Sequence, residues 1–304
     1  MRTAPHPLTL RQLQYATAVA ELGSFRRAAE ACRVAQPSLS FQIAQLEEQL
    51  GVVLFERRRR GTLVTAAGAP LIAHMRAVLT AADDLVEAAR GAADPLAGEL
   101  EVGVIPTVSP YVLPLVVGPL RERLPRLVIR WVEDKTPNLR DALAQGRIDA
   151  ALLALEADLG DVDVMPIARD RFLLATPPDH PLARPKRPVK LAELADEPVL
   201  LLDDGHCLRD QALSLCRTAQ ARTLDLRATS MATLVQMTAS GLGVTLLPEL
   251  AAPVENRLGA LRLRAFAAPQ PHRTIGLAWR RQSTRVETLR AIGGVMAEAL
   301  AHRA

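Results

Sequence analysis

Cysteine is nearly absent from this chain: three residues in 304, at positions 32, 207 and 216. So sparse and odd a count excludes a secreted scaffold stapled by several disulfides. Long apolar runs are missing as well. No stretch approaches the ~18 residues of a membrane span. Met1 to Leu10 carries no apolar leader segment, so a soluble, cytoplasmic chain without membrane contact is expected. Outside one short stretch at 205–216 no cluster of chemistry-bearing residues stands out, and neither a metal nor a cofactor is expected. A large excess of one charge is also lacking: 37 Lys and Arg face 33 Asp and Glu, a net of +4. That small excess is unevenly placed. Residues 1–64 hold nine Arg and five Glu, which accounts for all of it, and the rest of the chain balances to zero. A basic N-terminal module on a neutral body points to nucleic acid.

The length suits two or three domains. In the first, Leu10, Leu13, Ala16, Thr17 and Ala20 space as a helix that Gly23 ends. Ser24 can cap a second helix over 25–32, and after a tight turn Pro37 suits the first turn of a third. The third helix has an inner stripe of Leu39, Ile43, Leu46 and Leu50, and Gly51 stops it. Two helices joined by a tight turn form the helix-turn-helix pattern. On the opposite face stand Ser38, Phe41, Gln42 and Gln45, with Gln36 and Ser40 beside them. Such a face reads base edges if it enters a major groove, and is otherwise the solvated side of an amphipathic helix. The run Arg57-Arg58-Arg59-Arg60-Gly61, set between two short apolar segments, reads as a basic wing able to meet phosphate or a minor groove.

Residues 66–90 read as one long helix in which Leu71, Met75, Val78, Ala82, Leu85 and Ala89 repeat as coiled-coil a and d positions. That stripe needs a partner, from its own chain or from a second copy. A hinge over 91–98 follows, and then strands and helices alternate to the C-terminus, as expected of an α/β body with largely parallel sheets.

Leu39-Ser40, Ile43, Leu46-Glu47, Leu50-Gly51-Val52, Leu54-Phe55-Glu56-Arg57 and Leu63, Thr65, Ala67-Gly68 together resemble the N-terminal signature of LysR-type transcriptional regulators. The resemblance runs through residues 8–68. It departs at Phe41-Gln42-Ile43-Ala44, where many relatives place Arg, which shifts weight to the wing. It implies an N-terminal all-α winged helix-turn-helix domain (1–65) and a long dimerising linker helix with a hinge (66–97). It also implies an α/β effector domain (98–304) of two periplasmic-binding-protein-like subdomains, 98–168 with 280–304 and 169–279. The two subdomain crossings are expected near 168–171 and 268–280.

The run Gly205-His206-Cys207-Leu208-Arg209-Asp210-Gln211-Ala212-Leu213-Ser214-Leu215-Cys216 holds two of the three cysteines. Read as one helix, nine steps of ~1.5 Å and ~100° set the two Cα atoms ~13.5 Å apart on opposite faces. A disulfide needs roughly 4.4–6.8 Å, so the pair closes only if the segment unwinds. Cys207 falls on a polar arc with Asp210, Gln211 and Ser214, and Cys216 at the centre of an apolar one. A thiol at a helix N-terminus beside His and Arg is set up to react as thiolate, whereas a buried thiol stays inert until exposed. Two ordinary core cysteines fit the same residues.

The effector region is similar to the peroxide-sensing branch of the same family. It matches in Ile105-Pro106-Thr107-Val108 with Pro110-Tyr111, in 204–212 with Cys216, in Arg227-Ala228-Thr229-Ser230, and in Arg273-Thr274-Ile275-Gly276-Leu277. This resemblance favours the redox reading and implies roles position by position. Cys207 is the sensor that hydrogen peroxide oxidises, and Cys216 resolves it to an intramolecular disulfide. Thr107, Thr136, His206 and Asp210 surround the peroxide, and Arg273 is the cation for the thiolate. It also implies double-stranded promoter DNA and RNA polymerase as partners, glutaredoxin or thioredoxin as reductant, and a homodimer or homotetramer. Cys32, in the second helix, is expected in the core without a redox role. Two rivals remain: a regulator answering a small organic effector between the subdomains, and a thiol peroxidase. The Arg-rich wing favours a regulator over an enzyme.

Overall fold

The apolar spacings of the first 64 residues fold as three helices and a hairpin. In the computed structural model, which describes residues 6–58, 61–91, 94–184 and 186–301, α1 spans Leu10–Leu22, α2 Phe25–Ala31 and α3 Gln36–Leu50. The hairpin strands are β1, Phe55–Arg58, and β2, Gly61–Val64. Thr9 and Gln12 close a capping box on α1, and Ser24 caps α2 through Arg27 N–H. Gly23 and Gly51 end α1 and α3 at φ of 60° and 66°, a left-handed turn that glycine adopts without strain. Leu13, Ala16, Val19, Ala28, Leu39, Ile43, Leu46, Leu54 and Phe55 form the core beneath. Helix α4, Gly68–Gly91, adds Ile72 and Met75 to that core.

The chain divides into two compact units, 1–90 and 91–304. In the second, β3 (Gly98–Val104) is followed by α5 (Ser109–Arg123), β4 (Leu127–Glu133), α6 (Thr136–Ala144) and β5 (Ala150–Ala154). Next come the long strand β6 (Val162–Thr176), β7 (Pro198–Leu202), α7 (Cys207–Ala219) and β8 (Arg222–Ala228). The last elements are α8 (Met231–Ala239), β9 (Thr245–Pro248), α9 (Ala252–Glu255), β10 (Arg262–Ala265), β11 (His272–Arg280) and α10 (Val286–Ala301).

Strand pairing is mixed rather than largely parallel. β4, β3 and β5 run parallel, as do β7 and β8, but β6 pairs antiparallel with β11, β9 and β10, and β11 pairs antiparallel with β5. The reason is the double crossing. Strand β6 serves one lobe through Val162–Arg171, where it pairs with β11, and the other through Phe172–Thr176, where it pairs with β9 and β10. The chain returns ahead of His272, because β11 already lies beside β5 over Ile275–Trp279. Each lobe has its own core. The first gathers Leu100, Val102, Val104, Leu152, Ile275, Leu277, Trp279, Leu289 and Ile292. The second gathers Phe172, Leu174, Val199, Leu200, Leu234, Val235, Leu247 and Phe266. At ~25 cal/mol per Å² of apolar surface removed from water, two separate cores mean two lobes each able to hold their packing while the segments between them move. Among the described residues no helix is long and apolar enough to cross a membrane.

Candidate functional site

Helix α3 presents its expected outer face. Gln36, Ser38 and Phe41 are exposed, Phe41 by 61%, while Ser40, Gln42 and Gln45 are half-buried. The Glu47 carboxylate accepts from Leu54 N–H at 2.6 Å and Phe55 N–H at 3.2 Å, which pins the start of the wing to the end of α3. Phe25 and Phe55 meet edge-to-face at 5.8 Å, and the Arg57 guanidinium lies 4.6 Å over the Phe25 ring. Arg57 is thus held in a fixed place. Arg58 is exposed and pairs with Glu56, whereas Arg59 and Arg60 lie outside the described residues.

The linker stripe divides along its length. Met75 is buried and Leu71 half-buried against the winged-helix core, so these two positions face their own unit. Val78 (48% exposed), Leu85 (72%) and Ala89 are open, with Ala82 half-buried and Val86 exposed alongside.

Helix α7 carries the thiols. His206 is its N-cap residue, Asp210 lies in its first turn and Arg217 in its last, the signs that suit the helix dipole. Leu208, Ala212, Cys216 and Ala219 form one stripe buried in the second lobe's core. Cys207 does not stand on an exposed polar arc. It is buried, 7% exposed, and packs into the first lobe's core, because that lobe covers the face a helical projection leaves blank. The two cysteines of one helix are therefore seated in two different cores. Both are free thiols, and the helix is continuous between them. Burial pushes the Cys216 thiol up to about 11.

Cys207 lines a cleft of about 890 Å³ together with Thr136, Asp210, Arg140, Phe266 and His272. Thr136 opens α6, is buried, and its hydroxyl has no hydrogen-bond partner among the described residues. His206 is buried too, and its Nε2 is likewise unpartnered. Burial depresses the His206 pKa, the Lys135 charge depresses it further, and Asp203 opposes both, which favours the neutral ring. Asp210 is exposed at the cleft. Thr136 brings its unpartnered hydroxyl to the cleft that Cys207 and Asp210 also line, whereas His206, Thr107 and Arg273 are not among the lining residues; a buried hydroxyl left free at a cleft suits a small polar guest.

Arg273 is wholly buried, and each of its three nitrogens donates to an oxygen of Asp170 or Thr107. Nε donates to Asp170 Oδ2 at 2.9 Å, Nη1 to Thr107 Oγ1 and Nη2 to the Thr107 carbonyl, each at 2.9 Å. Asp170 is its register partner on β6, and the other oxygen of that carboxylate accepts from Leu250 N–H at 3.0 Å. The group ties the crossing strands to the loop before α5. Sequence reasoning missed Asp170, whose partner lies 103 residues away, and also Lys135, Asp203 and the Tyr111–Glu255 hydrogen bond of 2.6 Å between the lobes. Strand register locates Asp170, and no local motif does. Cys32 is the C-cap residue of α2, half-buried rather than in the core.

Comparison with known proteins agrees with this arrangement. Residues 10–69 match the bacterial regulatory helix-turn-helix proteins of the lysR family, and residues 93–301 match the LysR substrate binding domain. A protein of Mycobacterium avium named as a probable hydrogen peroxide-inducible genes activator is 47% identical over 292 residues, 95% of this chain and 94% of that one. The DNA-binding transcriptional dual regulator OxyR of Escherichia coli K12 is 42% identical over 274 residues, 90% of each. Among solved structures, full-length OxyR of Pseudomonas aeruginosa with one cysteine replaced superimposes at a TM-score of 0.79 with 35% identity, covering 96% of this chain and 95% of that one. A hydrogen-peroxide-bound cysteine mutant of OxyR from Corynebacterium glutamicum superimposes at 0.67 with 36% identity, covering 98% and 94%. With winged helix, two-lobed effector domain and relatives in accord, the chain belongs to the LysR family of transcriptional regulators, in its OxyR branch.

Proposed function

We propose that this chain is a cytoplasmic transcription regulator that senses hydrogen peroxide and is switched by a reversible Cys207–Cys216 disulfide. The observation that carries the reading is the seating of the two thiols of one continuous helix in two separate cores. The relatives named for peroxide-inducible genes and for OxyR support it.

The chemistry runs in two displacements. The Cys207 thiolate attacks one peroxide oxygen, the S–O bond forms as the O–O bond breaks, and the departing hydroxide leaves as water after taking a proton. Thr136 and His206, each with an unpartnered buried polar atom, orient the peroxide, and Asp210 at the cleft relays the proton. Arg273 holds Thr107 in place from behind. In the second step the α7 segment unwinds, Cys216 leaves its core, and its thiolate attacks the Cys207 sulfenic sulfur. The S–S bond forms and the S–O bond breaks, releasing water. A dithiol donor such as glutaredoxin or thioredoxin resets the pair by thiol–disulfide exchange.

The readout is on DNA. Val78, Leu85 and Ala89 of α4 pair two copies, a tetramer is built from such pairs, and each pair offers two winged helices to a two-fold site. Gln36, Ser38, Ser40, Phe41, Gln42 and Gln45 meet the major groove, and Arg57–Arg60 meet phosphate or minor groove. Repacking around α7 changes the spacing of these contacts, and with it the recruitment of RNA polymerase. The test is tryptic mapping of the reduced protein after stoichiometric peroxide, with a DNA footprint on the same sample. A 207–216 link with an altered footprint is expected. Untouched thiols, or a link with an unchanged footprint, overturn the reading.

The 890 Å³ cleft favours one alternative, a small organic effector between the lobes. A compound that changes the DNA footprint of the C207S/C216S protein would establish it.

A further inference from the structure

We infer that Lys135 is a positioning residue that reaches from the first lobe to hold the Asp203–Gly205 turn, and thereby sets how fast the oxidised cysteine segment can leave its seat. The inference rests on the disulfide switch proposed above and adds to it the residue that restrains the second step.

Lys135 belongs to the first lobe, where it is the N-cap residue of α6, immediately before Thr136. Its Nζ donates to the Asp204 carbonyl at 2.7 Å and lies 3.7 Å from Asp203 Oδ2. Both acceptors sit in the turn that joins β7 to α7 in the second lobe. The stem of the lysine lies along Gly205, whose φ is 86°. A Cβ there would stand 3.0 Å from Lys135 Cδ. The turn is tied to its own lobe as well, through Asp203 N–H to the Ala228 carbonyl at 2.8 Å and Arg209 to Asp204 Oδ1 at 2.9 Å. Lys135 supplies a tie from the first lobe to this turn, three and four residues before Cys207 begins the helix.

The placement has a kinetic consequence. The first step takes place in the cleft that Thr136, Cys207 and Asp210 line, and Lys135 is not among its lining residues. The second needs α7 to unwind from a turn that Lys135 clamps to the opposite lobe. A charge-assisted hydrogen bond present in the packed state and lost on refolding slows that step and stabilises the reduced form.

The experiment compares the parent with Lys135→Met, which keeps the stem and removes the donor, and with Lys135→Arg, which keeps the charge. Sulfenic acid formation is followed in a C216S background, and disulfide formation in the full chain with both cysteines. For Lys135→Met, sulfenic acid formation should stay within about twofold while disulfide formation rises about tenfold. The Cys207–Cys216 couple should shift by about 30 mV toward more negative potential in glutathione equilibration, the equivalent of that tenfold. Lys135→Arg should restore most of both. Unchanged disulfide rate and potential in Lys135→Met overturn the inference, and so does a loss of thermal stability with no change in potential. Absence of any 207–216 disulfide in the parent overturns the switch itself, a separate result.

Discussion

Arg273 shows how far a residue's type can be read without its neighbours. Its guanidinium was expected beside a thiolate. The fold gives it instead a buried carboxylate and both oxygens of Thr107. Removing the cation strands Asp170 in a dry interior, so Arg273→Ala should lose about 3–5 kcal/mol in urea unfolding. Thr107→Val leaves one guanidinium donor unpaired, and should cost about 1–3 kcal/mol. Cys216 makes a prediction on pH. Burial raises its thiol to about 11 from an ordinary 9.0, so between those values the unfolded chain has lost a proton that the folded chain keeps. Stability is then full below pH 9 and falls as pH rises toward about 11, by on the order of 2 kcal/mol. Cys216→Ala should flatten that limb of a plot of thermal midpoint against pH. At this scale the sequence offers residue types, in Cys207, Thr136, His206 and Arg273. Which of them touch was not legible, because Asp170 and Lys135 reach their partners across 103 and 69 residues, through strand register and lobe closure.

The elements were more legible than the contacts. Helices α1 to α3 and the wing followed from apolar spacing and capping residues, since each is local chemistry. Strand β8 and the first half of β6 carry little local strand signal. Arg222–Ala228 alternates charge with apolar residues, and Val162–Arg171 is mostly open to one side, so neither shows a clean apolar run. The wing itself is held by Glu47. Glu47→Ala removes the acceptor for two backbone N–H groups and should cost about 1–2 kcal/mol, with weaker DNA binding. Arg57→Ala should weaken binding about equally across DNA sequences. It should also lower the slope of log affinity against log salt by about 1, as a lost phosphate contact does.

At the scale of the whole molecule, two features need a second copy or a second state. The exposed seam on α4 is the first. Val78→Glu with Leu85→Glu puts charge on residues 48% and 72% exposed, so the fold of the unit should survive while sedimentation shows smaller assemblies. An unchanged assembly would place the pairing surface elsewhere. The second is α7, one helix plugged at its two thiols into two cores. Nine helical steps keep those thiols ~13.5 Å apart at the Cα atoms, and a disulfide tolerates roughly 4.4–6.8 Å. Bond formation and an intact helix are incompatible.

Hydrogen exchange across residues 207–217, measured on reduced protein and on peroxide-oxidised protein carrying the mapped link, tests that incompatibility directly. Oxidation should abolish amide protection through α7 while the strands of both lobe cores, β3, β5 and β9, stay protected. A linked protein whose α7 amides exchange as slowly as before would contradict the account, since the bond would then have formed without the refolding on which the switch depends.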